Sequence, residues 1–136
     1  MKYLADTQIL IWALEGNSRL SDSAKKILLD KDNTILYSFA NVWEVAIKHQ
    51  LHKDDIPFSS EEFDAYCREA GYIPFGLKYQ HAHELGTLHY ATEEAPRAHK
   101  DPFDRLLLAV AKTEGFGFLT HDSLIPYYHE KCVVSV

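Results

Sequence analysis

Two acidic residues of this chain follow short apolar runs, where an unpaired carboxylate is costly to bury. Asp6 comes directly after the run 2–5, and Asp122 comes shortly after the run 117–120. Each run is typical of a strand and each acid precedes a helical pattern, so each acid can serve as a helix cap. The two acids can also converge, and neighbouring carboxylates raise each other's pKa unless a cation lies between them. The pattern therefore indicates two caps, one cation site, or both.

Two further acids lie within predicted helices. Asp104 belongs to Asp101-Pro102-Phe103-Asp104, a strong helix start with Asp101 at the cap. It lies about 100° around the helix from the buried stripe that Phe103 begins. Glu44 lies away from the apolar residues of its helix, and Lys48 follows it by four residues, a spacing that favours a solvated ion pair. Periodicity alone therefore favours a surface role for Glu44.

Carboxylates gathered in one cleft suit the hydrolysis of a phosphodiester. Mg²⁺ and Mn²⁺ prefer oxygen ligands and make a bound water more acidic. Zinc is less favoured, because the only close histidine pairs, His49 with His52 and His81 with His83, do not form the HExxH pattern. His99 and His121 each lie beside a candidate acid, where they can contact substrate or hold a ligand in place.

The elements that must position these residues alternate between strand and helix. Such alternation predicts an α/β fold with a central parallel sheet of four or five strands and helices on both faces. Ligands of such sheets bind outside the carboxyl ends of the strands. The predicted strands are 2–5, 34–37, 72–74, 117–120 and 132–136, and the predicted helices are 9–14, 22–30, 41–50, 60–70, 78–85, 102–114 and a short one after Asp122.

Length and composition predict one domain, residues 1–136. No apolar run approaches the roughly 20 residues of a membrane span, and an acid at position 6 is too early for a signal peptide, so we expect a cytoplasmic protein without a membrane partner. The net charge of −6 counts against a nucleic-acid binder, unless metal ions or local bases offset it. Such bases surround the candidate acids: Lys48, His49, His52 and Lys53, and Arg97, His99, Lys100 and Arg105.

Four segments follow one another over nearly the whole chain: Leu4-Ala5-Asp6-Thr7-Gln8-Ile9-Leu10, Val42-Trp43-Glu44-Val45-Ala46-Ile47-Lys48, His99-Lys100-Asp101-Pro102-Phe103-Asp104-Arg105-Leu106-Leu107 and Leu119-Thr120-His121-Asp122. Taken together and in this order, they resemble the PIN-domain family and, within it, the VapC-like toxins of bacterial toxin–antitoxin systems. Each segment alone is weak, but the combination is specific.

The resemblance implies a PIN-like three-layer sandwich and a ribonuclease that uses one or two Mg²⁺ or Mn²⁺ ions. It implies that Asp6, Glu44, Asp104 and Asp122 hold the metal, which replaces the surface role that periodicity favours for Glu44. The residues it implies in supporting or substrate-contacting roles are Thr7, Lys48, His99, Asp101, Arg105 and Thr120. It further implies an RNA substrate, often tRNA or rRNA, a cognate antitoxin that covers the site, and a homodimer.

Two other interpretations compete with the ribonuclease. A non-catalytic domain on the same scaffold would bind RNA or a protein without cutting, although the complete set of four acids argues against it. A response-regulator receiver or an Asp-nucleophile phosphatase is the third interpretation. Gln8 stands where such phosphatases carry a second Asp, two residues after the first, and the paired acids that open a receiver are missing. The sequence therefore favours a metal-dependent nuclease.

Overall fold

The computed structural model describes residues 1–136 as five strands and six α-helices, joined by loops and short 3-10 turns. The strands are β1 (Lys2–Ala5), β2 (Thr34–Ser38), β3 (Ile73–Phe75), β4 (Gly117–Thr120) and β5 (Val133–Ser135). The helices are α1 (Thr7–Glu15), α2 (Asp22–Leu29), α3 (Phe39–Leu51), α4 (Ser60–Glu69), α5 (Tyr79–Glu84) and α6 (Pro102–Glu114).

All five strands pair in parallel in the order β3-β2-β1-β4-β5. The chain therefore builds outward from β1 through β2 to β3, then crosses to the other side of β1 for β4 and β5. The direction of winding reverses between β1 and β4, and a parallel sheet opens a crevice at the carboxyl ends of such a pair. The register pairs Ala5 with Leu119, so Asp6 and Thr120 emerge side by side at this crevice.

Apolar residues cover both faces of the sheet, because successive side chains of a strand point to opposite sides. Leu4, Leu36 and Phe118 belong to one buried cluster, which includes the apolar side of α6. Their sequence neighbours belong to a second cluster with residues of α1, α3 and α4. The molecule is therefore a three-layer α/β sandwich with a central parallel sheet, and the predicted fold class is confirmed.

Local signals in the sequence position several helices. Ser21 caps α2, Ser59 and Glu62 form the predicted capping box of α4, and the Asp101 carboxylate accepts from the backbone N–H groups of Phe103 and Asp104. Helix α3 begins earlier than predicted, at Phe39. Strand β3 lies one residue later than predicted, since its register with β2 decides its bounds. No helix of the fold combines the length and the apolar character that a membrane span requires.

Candidate active site

The carboxylates of distant chain segments meet in one cavity of about 240 Å³. Asp6 and Asp122 follow β1 and β4, Glu44 comes from α3, and Asp104 comes from the first turn of α6. The helix cap Asp101 is a fifth acid in the same wall. The structure therefore brings together all four acids that the resemblance singles out, as well as Thr7 and Lys48. The remaining lining residues are Gln8, Ile11, Ile56 and His121.

Asp6 lies at the floor of the cavity and is only 4% exposed. One carboxylate oxygen accepts the Ile9 N–H at 2.8 Å, and the other accepts the Thr120 hydroxyl at 2.7 Å and the His121 N–H at 3.1 Å. Burial raises the pKa of Asp6, and these hydrogen bonds oppose the shift. A carboxylate has about four lone pairs, and these three hydrogen bonds use three of them. Asp6 therefore caps α1 and still has one acceptor position free.

Glu44 is buried, with 3% exposure, although it lies on the polar side of α3. The Thr7 hydroxyl donates to one of its oxygens and the Lys48 ammonium donates to the other. Although burial works against the charge of Lys48, contact with Glu44 raises the pKa of the ammonium. The predicted pair therefore forms, but inside the cleft, and the surface role suggested by periodicity is wrong.

Asn41 holds this part of the site, and the sequence analysis did not predict its contribution. Its side-chain amide donates to Thr7 Oγ1 at 3.0 Å and to the Ala5 carbonyl at 3.2 Å, and its oxygen accepts the Ser38 N–H at 2.7 Å. One fully buried residue thus connects the end of β1, the start of α3 and the hydroxyl that contacts Glu44. The available signal was its position one helical turn before Glu44.

Asp104 is the acid with the least local support. No backbone or side-chain group donates a hydrogen bond within normal distance to its carboxylate, and burial raises its pKa to about 7. His99 Nε2, at 3.5 Å, opposes the shift, whereas the negative charges of Asp101, Asp6 and Glu44 add to it. A cation in the cleft would remove this penalty, because it favours the charged form of every acid around it.

Asp122 and His99 complete the side of the cleft next to Asp104. One oxygen of Asp122 accepts the Leu124 N–H at 2.8 Å, and the other lies 3.7 Å from His99 Nε2. Potential ligand atoms of His99, Asp104 and Asp122 all lie within 4.8 Å of one another. Asp6 and Glu44 line the same cavity but fall outside this set. The acids therefore share one cleft without all meeting at a single point.

Three predicted site residues do not line the cavity themselves. Thr120 and His99 lie against acids that do. The third is Arg105. Its guanidinium lies beside the hydroxyl of Tyr128, where it opposes the rise that burial causes in the pKa of that tyrosine. Tyr128, which the sequence analysis did not identify, places its hydroxyl 2.7 Å from His99 Nδ1. No local sequence signal connects residues 29 positions apart, so this contact could only be found in the folded chain.

The donor set fits a hard divalent cation. Carboxylate oxygens dominate the cleft, and each of the four acids keeps acceptor positions that no protein group occupies. Lys48 is the only Lys or Arg among the lining residues, against five acids. This excess of buried negative charge is the condition under which a bound Mg²⁺ or Mn²⁺ becomes favourable.

Comparisons with known proteins agree with the fold. A family model described as PIN domain matches residues 3–129. A search of curated proteins finds no significant match. The solved structure of VapBC2 from Rickettsia felis, bound to a DNA fragment from its promoter, is similar at a TM-score of 0.66 and 18% identity, covering 100% of this chain and 98% of that one.

Two further solved structures are similar at lower scores. A toxin–antitoxin complex from Klebsiella pneumoniae gives a TM-score of 0.58 at 19% identity, with 98% of this chain and 96% of that chain covered. VapC20 of Mycobacterium tuberculosis, described as a toxin that cleaves the sarcin–ricin loop, gives 0.57 at 12% identity, with 89% and 90% covered. At these identities the likeness concerns the fold.

Proposed function

The chain belongs to the PIN-domain family of nucleases, and on that premise we propose that it is a single-domain, metal-dependent endoribonuclease and the toxin of a toxin–antitoxin pair. The observation that carries the proposal is the convergence of Asp6, Glu44, Asp104 and Asp122 on one cleft at the switch point of the sheet. Helix capping explains why individual acids occur at their positions, but it does not explain why four carboxylates share one cleft. A bound divalent cation would make this clustering favourable.

Each side chain has a distinct task in hydrolysis. When bound, Mg²⁺ or Mn²⁺ stabilises the charge that develops on the phosphate and makes a water more acidic. Thr120 and the His121 backbone fix the orientation of Asp6, and Thr7 fixes Glu44, so that both acids keep free oxygens toward the cleft. The Lys48 ammonium, which is partly exposed, is available to a phosphate oxygen at the mouth.

A second groove of about 560 Å³ supports a path for RNA. It shares Gln8, Ile11, Lys48 and Ile56 with the acidic cavity, so the two openings are continuous. Arg19, Lys48 and His52 lie along the second groove, together with the acids Glu15, Asp54 and Asp55. The bases are therefore separate contact points for phosphate groups, on a protein whose net charge is −6. We propose that an RNA strand, from tRNA or rRNA, enters the cleft from this side.

Two protein partners complete the proposal. A cognate antitoxin is expected to cover the cleft with a basic segment, because Arg or Lys side chains pair well with exposed carboxylates. The similar R. felis and K. pneumoniae structures are themselves toxin–antitoxin complexes. A second copy of the chain is expected to cover the aromatic face formed by Phe39, Trp43 and Phe103, where Trp43 is 47% exposed and packs edge-on against Phe103.

RNA cleavage by charge-neutral variants tests the proposal. We expect wild-type protein to cleave RNA in Mg²⁺ or Mn²⁺ and to lose this activity in EDTA, since the acids cannot act without the cation. Asp6→Asn and Asp104→Asn should abolish cleavage, whereas Asp32→Asn, at an exposed acid outside both the acidic cavity and the second groove, should not. Expression without an antitoxin should arrest growth only for the active proteins.

Two results would contradict this assignment. Equal degradation of RNA by wild-type protein and both charge-neutral variants would exclude these acids from the reaction. Tight RNA binding without cleavage in either metal, together with normal growth on expression, would instead favour the non-catalytic binding module. Circular dichroism of each variant checks that the fold is retained.

A further inference from the structure

We propose that His99 is itself a metal ligand, and that its Nε2 forms a mixed nitrogen–oxygen subsite with one oxygen each of Asp104 and Asp122. This subsite should favour Mn²⁺ over Mg²⁺. The inference rests on the proposed metal-dependent function, but it assigns a role to a residue outside the acidic quartet and divides the cleft into two chemically different halves.

The first observation is an unsatisfied atom. The His99 side chain is only 2% exposed, and its Nε2 is buried without a hydrogen-bond partner. Buried polar atoms are nearly always paired, because an unpaired one costs roughly 1–3 kcal/mol. Nε2 is aimed between the Asp104 and Asp122 carboxylates, so what it lacks is a partner located between those groups.

The distances fit a shared cation better than a direct hydrogen bond. Nε2 lies 3.5 Å from the Asp104 oxygen and 3.7 Å from the Asp122 oxygen. Both values exceed the usual range for a nitrogen–oxygen hydrogen bond. Ligand atoms that each lie about 2.1 Å from one metal ion are separated by roughly 3–4 Å, depending on the angle between them. Both nitrogen–oxygen distances therefore fall in the range expected for ligands of one ion, and all three ligand atoms lie within 4.8 Å of one another.

The imidazole is held in the orientation that ligation needs. Its Nδ1 lies 2.7 Å from the Tyr128 hydroxyl, and the two rings meet edge to face at 89°. Tyr90 packs against both rings. A metal-bound histidine uses the lone pair of one nitrogen and donates the proton of the other to a fixed acceptor, and the Tyr128 oxygen can serve as that acceptor. The surrounding aromatic rings fix the direction of Nε2.

The mixed donor set determines the expected selectivity. Mg²⁺ strongly prefers oxygen ligands, whereas an imidazole nitrogen is better tolerated by Mn²⁺ and by the later divalent metals. Asp6 and Glu44 offer only oxygens on the other side of the cleft. Removing His99 should therefore change the affinity for Mn²⁺ much more than the affinity for Mg²⁺.

Pulsed electron paramagnetic resonance of the Mn²⁺-loaded full chain tests the ligand directly. We expect modulation from a directly coordinated ¹⁴N nucleus in the wild-type protein and its loss in His99→Gln. His121→Gln is the matched control, since His121 also lines the cavity but lies outside the three-residue set, and it should keep the signal. By calorimetry, His99→Gln should weaken Mn²⁺ binding by roughly tenfold or more and Mg²⁺ binding by less than about threefold.

The wild-type spectrum can refute the inference even if a variant fails to fold. Saturating Mn²⁺ without nitrogen modulation, or a signal lost in His121→Gln and kept in His99→Gln, would overturn the inference. If RNA cleavage in that case still depends on Asp6 and Asp104, the proposed nuclease function stands and only the histidine ligand is wrong. If the protein binds neither metal, both proposals fail together.

Discussion

Neutralising Asp104 should stabilise the metal-free protein at high pH, although the same change should abolish activity. Burial and the neighbouring acids raise the pKa of Asp104 from a usual value near 3.8 to about 7. At pH values between 3.8 and about 7, the folded state therefore keeps a proton on Asp104 that the unfolded state has released. When folding raises the pKa of an acid, its contribution to the free energy of unfolding is fully present below the pKa of the unfolded state. That contribution is lost as the pH rises through the pKa of the folded state.

The size of the effect follows from the shift. Each pH unit within this window changes the free energy of unfolding by about 1.4 kcal/mol, so the wild-type protein should lose roughly 2–3 kcal/mol between pH 5 and pH 8 through Asp104. Asp104→Asn removes this contribution and also relieves its repulsion of Asp6 and Glu44. The variant should therefore already be more stable than wild type at pH 5, and its advantage should grow by roughly 2–3 kcal/mol between pH 5 and pH 8.

Urea denaturation in EDTA at several pH values between 5 and 8 measures this difference. All other titratable groups are common to both proteins, so the difference between variant and wild type reports on Asp104 and on its contact with His99. Asp54→Asn, at an exposed acid, should follow the wild-type curve. Adding Mn²⁺ should increase the free energy of unfolding of the wild-type protein far more than that of Asp104→Asn. Parallel loss of stability by Asp104→Asn and wild type would refute the electrostatic reasoning.

Three further changes test other parts of the molecule. Asn41→Ala should cost about 2–4 kcal/mol in urea denaturation because it leaves buried groups unpaired, and Asn33→Ala, which removes one amide contact, should cost less. Lys48→Gln should tighten Mn²⁺ binding about two- to fivefold by calorimetry, since it removes the ammonium that offsets Glu44; weaker binding would contradict this. Trp43→Glu should shift a dimer toward monomer in sedimentation velocity, and an unchanged molecular mass would place the interface elsewhere.

Much of the fold could be predicted because its signals are local. Ser59 with Glu62 and Asp101 with Pro102 each determine a helix start through groups a few residues apart, and the structure confirms both. The start of α3 was placed too late, because its cap pairs Ser38 with Asn41 and lacks the acid of the familiar pattern. The bounds of β3 depend on pairing with β2, which no local signal encodes.

The candidate site was harder to predict because the polar face of a helix has the same sequence pattern whether it borders water or a buried cleft. Glu44 illustrates this, since helix periodicity places it opposite the apolar residues and the structure nevertheless buries it. Asp6 and Asp122 illustrate a second difficulty. Each accepts hydrogen bonds from the chain that follows it, as a simple cap would, and each also lines the cavity. Only the resemblance to a family distinguished a simple cap from a cap that is also a candidate site residue.

The parallel pairing of β1 with β4 has a consequence for how such a protein can diversify. Backbone hydrogen bonds of the central sheet set the distance between the chain positions that carry Asp6 and Asp122, independently of any loop. The exposed turn after α3, residues 52–55, borders the second groove and belongs neither to the sheet nor to the buried clusters. If the proposed function holds, insertions and substitutions there can alter which nucleic acid is admitted while Asp6 and Asp122 keep their spacing, so target choice and bond cleavage are free to evolve separately.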